Sequence, residues 1–98
     1  MTVQQATLEN TFQEMGYTSM ADYAIQKARE ELLQELKKSL DEVAQFETKY
    51  SMTYLEFDKR FHDLTQFGLF EREDDIMDWR AELEVIRVVE KRLARLTA

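Results

Sequence analysis

The chain has 98 residues, 34% charged and 44% hydrophobic, with a formal net charge of −7 and a pI near 4.7. That length holds one domain, and the acidic balance repels phosphate backbones while suiting a basic protein partner met by electrostatic steering. With no Cys, no Pro and two Gly, a disulfide framework, a thiolate metal site and a Cys nucleophile are excluded, and the composition is that of a helical protein.

No apolar run approaches the ~20 residues that span a bilayer, and the first residues lack a basic-then-apolar signal. A soluble, cytoplasmic protein without membrane contact is therefore expected.

Residues 1–18 are expected to form an N-terminal arm or a short helix. Leu8, Phe12 and Met15 suit a short helix closed by Gly16, which tolerates a left-handed cap. Thr2 to Thr7 could equally be an extended arm. Residues 19–50 then read as one long helix. Ile25, Ala28, Leu32, Leu36, Leu40, Val43, Phe46 and Tyr50 recur at steps of three and four, the spacing of one helical stripe. Ser19 stands at its N-cap with Asp22 three residues on, close to a capping box. Ser39 and Arg29 interrupt a strict heptad, so an antiparallel hairpin fits better than a long regular coiled coil.

Residues 53–67 read as a corner helix. Thr53 with Glu56 makes a capping box, and Met52 with Phe57 is placed for a hydrophobic staple. Tyr54, Phe57, Phe61 and Leu64 form its apolar face, and Gly68 ends it. Residues 71–96 read as the last helix, whose stripe is Ile76, Trp79, Leu83, Ile86, Val89, Leu93 and Leu96. Its carboxylates crowd the first turns and Arg87, Lys91, Arg92 and Arg95 the last, which matches the helix dipole at both ends.

Catalytic and ligand chemistry is sparse. Glu71, Glu73, Asp74, Asp75 and Asp78 offer oxygen ligands, yet lack the alternating acids, central Gly and distal Glu of a calcium loop. The single His62 has no Glu-x-x-His companion for a di-iron bundle and no strained nucleophile beside it. There is no Gly-rich phosphate loop. A non-enzymatic protein without cofactor or resident metal is expected. Trp79 falls in register with the apolar stripe, which suits a core or self-association role, and Trp also anchors binding hot spots.

Two resemblances bear on function. Gly16-Tyr17-Thr18-Ser19-Met20-Ala21-Asp22-Tyr23-Ala24 is similar to the turn and second-helix start of ribbon-helix-helix repressors. Met1 to Thr7, however, carries no Lys or Arg for a DNA groove. The longer resemblance runs from Met20 to Leu96. Lys49-Tyr50-Ser51-Met52-Thr53-Tyr54-Leu55-Glu56-Phe57, then Glu73-Asp74-Asp75-Ile76-Met77-Asp78-Trp79 and a closing charged helix, resembles small prokaryotic helical proteins with a K-Y-G-M-S/T-x-x-E-F corner and an E-D-D-x-x-x-W segment. These look like the antitoxin halves of type II toxin–antitoxin pairs, although Ser51 stands where that group often has Gly. The resemblance implies a non-enzymatic protein that neutralises a small basic toxin. Its contact would be the acidic surface from Glu71 to Asp78, anchored by exposed aromatic residues.

The resulting expectation is an all-α domain: two long helices packed antiparallel, a short helix at the corner between them, and an N-terminal helix or arm. The partner-binding set is Glu71, Glu73, Asp74, Asp75, Asp78 and Trp79. Val85, Val88 and Leu33 lie outside the main stripes, so a homodimer or larger assembly is expected, with self-association through Leu83, Ile86, Val89 and Leu93. The alternatives are a self-associating structural or regulatory protein with no toxin, and a repressor acting through residues 2–23.

Overall fold

A computed structural model describes residues 2–97; Met1 and Ala98 lie outside the described residues. Four α-helices follow in order, α1 (Val3–Glu14), α2 (Met20–Tyr50), α3 (Tyr54–Arg60) and α4 (Leu69–Thr97), with one 3-10 turn at Phe61–Asp63. Among the described residues there is no strand, so the all-α hairpin read from the sequence is what the chain forms.

Helix α1 is longer than Leu8, Phe12 and Met15 alone foretell. Thr2 and Gln5 close a full capping box, the Gln5 N–H donating to the Thr2 hydroxyl at 3.1 Å and the Thr2 N–H to the Gln5 side chain at 2.7 Å. The extended arm considered for Thr2 to Thr7 is thus replaced by helix, and so is the strand a ribbon-helix-helix fold would need there. At its far end the Tyr17 N–H reaches the Phe12 carbonyl and the Gly16 N–H reaches the Gln13 carbonyl, each at 3.0 Å. This pairing is a Schellman cap, which requires the left-handed φ of +99° that Gly16 adopts without a Cβ penalty.

Helix α2 starts where Ser19 places it. The Ser19 hydroxyl accepts from the Asp22 N–H at 3.0 Å. Asp22 does not close the box on Ser19 itself; its carboxylate accepts from the Thr18 N–H at 2.9 Å, one residue earlier. That backbone bond holds the Asp22 carboxyl below its usual range. The helix ends at Tyr50, and Ser51 turns the chain at φ 55°, ψ 38°, a left-handed conformation in which Cβ is crowded.

Helix α3 is shorter than residues 53–67. Its N-cap is Thr53, whose hydroxyl accepts from the Glu56 N–H at 3.3 Å. The Glu56 carboxylate takes the Thr53 hydroxyl at 3.2 Å rather than the Thr53 backbone, so the box is only half formed. After Arg60 the chain tightens into the 3-10 turn and leaves the helix at Leu64. Helix α4 then begins at Leu69, two residues before the expected start at Glu71, because the Gly68 carbonyl already accepts from the Arg72 N–H at 3.0 Å.

Helices α2 and α4 run antiparallel. Lys49 meets Asp75 while Phe46 stacks on Trp79, so stepping back along α2 advances along α4. Helix α3 packs across their joined end and α1 against the start of α2. The core sits at the corner, where Val43, Tyr50, Phe57, Leu64 and Trp79 form one buried cluster flanked by Phe46, Met52, Tyr54, Phe61 and Phe67. Fully burying each such apolar side chain contributes about 2 kcal/mol. Further along the hairpin Val89 is buried, and the small side chain of buried Ser39 lets the two helices close. The molecule is a rod of 68 × 20 × 18 Å.

This packing partly covers the self-association set. Val89 is buried within the chain, Leu83 and Ile86 pack on the core cluster, and Leu93 is half-buried. Of the four residues expected to hold two chains together, Val89 is thus closed off within its own chain, and the other three are partly covered there.

Candidate partner-binding site

The corner is held by hydrogen-bonded polar groups, the Trp79 indole N–H excepted, as well as by its packed rings. Trp79 has no exposed surface and is surrounded by Phe46 at 5.4 Å, Phe57 at 5.4 Å, Tyr54 at 5.7 Å and Tyr50 at 6.3 Å between ring centroids. Trp79 therefore offers nothing to a partner, and its place in the partner-binding set is corrected: it is the hub of the core. Its position follows from the stripe register, since it lies one helical turn after Asp75 and one before Leu83 on the side facing α2.

Asp75 is likewise engaged inside the chain. Its carboxylate accepts from the Tyr50 hydroxyl at 2.5 Å and from the Lys49 ammonium at 2.6 Å. The same ammonium bridges to Glu71 at 2.8 Å. The bonds to Asp75 and then Glu71 hold Lys49 above its usual pKa range, and burial, with the Asp75 bond behind it, pushes the Tyr50 phenol up. Two of the six expected contact residues thus clamp α4 to the end of α2.

Arg72 is a second clamp that the sequence reading missed. It is buried, and its guanidinium donates to the carbonyls of Phe67 at 3.1 Å, Gly68 at 3.4 Å and also Phe61. Phe61 lies in the 3-10 turn and Phe67 in the loop that follows it, while the Gly68 carbonyl also takes the first helical bond of α4, from the Arg72 N–H. The guanidinium also lies 5.3 Å from the Phe61 ring centre. A signal was present in the sequence: a cation in the first turn of a helix opposes the dipole, so it must be held by something else. At the edge of the cluster Arg80 donates to the Tyr54 hydroxyl at 2.8 Å.

What remains is an outward face of α4. Phe70, Glu73, Asp74, Met77 and Asp78 follow one another at helical steps on the side away from Trp79. Phe70 is 78% exposed and Met77 66% exposed. Glu73, Asp74 and Asp78 are exposed, and among the described residues none of them takes an ion-pair partner. Phe70 and Met77 were not in the expected set, because they fall off the main stripe and look like ordinary surface positions.

Other chemistry finds no constellation. His62 is exposed on the 3-10 turn with its ring edge-on to Phe61. Among the described residues no three His, Asp or Glu side chains are placed to hold a metal ion, and no helix is long and apolar enough to cross a membrane. Comparison with protein-family models, curated proteins and solved structures gives no match.

Proposed function

We propose that this chain is a non-enzymatic protein-interaction module whose α4 outer face takes a small basic protein, as the antitoxin-like pattern implies. One observation carries the reading. Two large apolar side chains, Phe70 and Met77, stand in water among Glu73, Asp74 and Asp78, while the neighbouring Glu71 and Asp75 are consumed within the chain. Apolar anchors with a charged rim are the anatomy of a protein-binding surface. Carboxylates free of in-chain partners are available to lysines and arginines of another protein, which they would attract over a distance.

The test is retention on the tagged protein from lysate of its own source, compared with the variants Phe70→Ala and Asp74→Lys with Asp78→Lys. The reading expects a small basic protein in near-stoichiometric amount, released by salt, whose growth-arresting effect the wild-type chain relieves on co-expression. Both variants should lose it. A partner that binds the charge-reversed variant equally well rules out this face.

A further inference from the structure

A second surface lies along α2, well away from the Phe70 face. We infer that the α2 edge carrying Leu33 and Leu40 packs against a second copy of this chain, so that two hairpins lie side by side as a four-helix bundle. The inference is independent of the basic-partner reading.

The surface area argues for it first. The chain exposes 7216 Å². A folded monomer of 11.7 kDa exposes about 5,900 Å². The excess, about 1,300 Å² per chain, is above the ~800 Å² per partner of a standard interface and reaches the size of obligate homodimers. The excess comes from shape: the radius of gyration is 20.9 Å, against about 12.6 Å for a compact chain of this length. Two rods laid lengthwise cover each other's long sides and remove it.

The residues on that side fit. Leu33 and Leu40 are 49% and 47% exposed. They stand two turns apart on one edge of α2, with half-buried Leu36 between them. An apolar edge with that repeat is the seam along which helices pack.

Charge selects a second copy as the occupant. The chain as a whole is at −7, which sets copies against each other over most of their surface. From Lys27 to Asp41, however, α2 carries four cations and four carboxylates, a balanced stretch. Within it Lys27 pairs with Glu30 at 3.3 Å and Lys37 with Asp41 at 2.7 Å. Two identical α2 edges therefore meet here without like-charge repulsion, which neither the α4 outer face nor the corner permits. The stripe first expected to self-associate is on α4; the one open to a second chain is on α2.

The test is the mass in solution by sedimentation equilibrium, with far-UV circular dichroism as the check on folding. The wild type should have twice the chain mass. Leu33→Glu with Leu40→Glu should have the single-chain mass with unchanged helicity, since both positions are half open to water in the single chain. Phe70→Ala with Met77→Ala should keep the double mass. Because the chain has no Cys, Leu33→Cys and Leu40→Cys, alone and mixed, supply a second readout: mild oxidation should yield covalent dimers, and Met77→Cys should not. A wild type of single-chain mass overturns the inference. So does a double Glu variant that stays dimeric, dissociation by the Phe70 and Met77 changes, or failure of every α2 cysteine combination to cross-link.

Discussion

Tyr50 and Asp75 lie 25 residues apart in the chain and share a hydrogen bond of 2.5 Å, the Tyr50 hydroxyl donating and the Asp75 carboxylate accepting. Tyr50 closes α2 and Asp75 opens the apolar run of α4, so this one bond sets the register of the hairpin. Lys49, bonded to the same carboxylate, places a cation where the Asp75 charge would otherwise stand unpaired beside the core. Asp75→Ala should cost about 2 kcal/mol by urea unfolding, because a hydrogen bond to a charged group is lost and a buried hydroxyl is left without its acceptor. A loss below a few tenths would show that the rings alone fix the register.

The same pair governs stability in alkali. The Tyr50 phenol is pushed above its ordinary value of 10.0, and the Lys49 ammonium is held above 10.5. In the unfolded chain both give up their protons at the ordinary values, whereas the folded chain retains them. Above about pH 10 the unfolded state therefore binds fewer protons, and stability falls as pH rises, by at most about 1.4 kcal/mol per pH unit for each group. Below pH 10 the contribution is fully present. Tyr50→Phe should flatten this slope in unfolding curves taken from neutral to alkaline pH. It should also remove the last tyrosinate transition in the ultraviolet; an unaltered absorbance titration would refute the assignment.

Arg72 predicts a sharp difference between two basic residues. Arg72→Lys replaces a planar fork that satisfies the Phe61, Phe67 and Gly68 carbonyls by one ammonium that cannot span them. It should lose roughly 1–2 kcal/mol, and Arg72→Ala about 3 kcal/mol, as the Phe61 and Phe67 carbonyls lose their guanidinium donor, while Gly68 keeps its backbone bond to residue 72. Equal stability of Lys and Arg in thermal melts would mean that charge alone is needed there.

Trp79 carries an unusual liability in its buried setting: its indole N–H has no hydrogen-bond partner. Trp79→Ala should cost about 3–5 kcal/mol through the cavity left among four rings. Trp79→Phe should cost much less than that, because the loss of packing is offset by removal of an unpaired donor. Chemical denaturation of the two variants separates the contributions, and equal losses would point to an unrecognised partner for the N–H.

Ser51→Gly should raise stability by about 1 kcal/mol, since Ser51 sits at a positive φ where a Cβ is strained. A destabilised Gly variant in a urea titration would mean that backbone entropy outweighs the relief.

The helix boundaries were legible where a local signal ended an element. Ser19 and Gly16 gave the start of α2 and the end of α1, and the steps from Ile76 to Leu96 gave the inward face of α4. The corner was harder, because its outcome depends on contacts distant in sequence. Nothing beside Glu71 or Asp75 announces that Lys49, more than 20 residues earlier, will neutralise them, so five similar carboxylates looked like one surface. Their division into clamp and open face is set by the packing of α4 on α2. Arg72 and Phe70 were missed for complementary reasons, one a charged residue that is buried and the other an aromatic that is not.

The 68 Å length of the rod has an electrical consequence. At physiological ionic strength a charge is screened over about 8 Å. The acidic corner and the α1 end, where Glu9 receives the Met20 N–H, are therefore several screening lengths apart and are linked through α2, on which both α1 and α4 pack. Charge changes at one end leave the other's field untouched, so the two ends can be altered, by selection or by design, as separate devices on a single shaft.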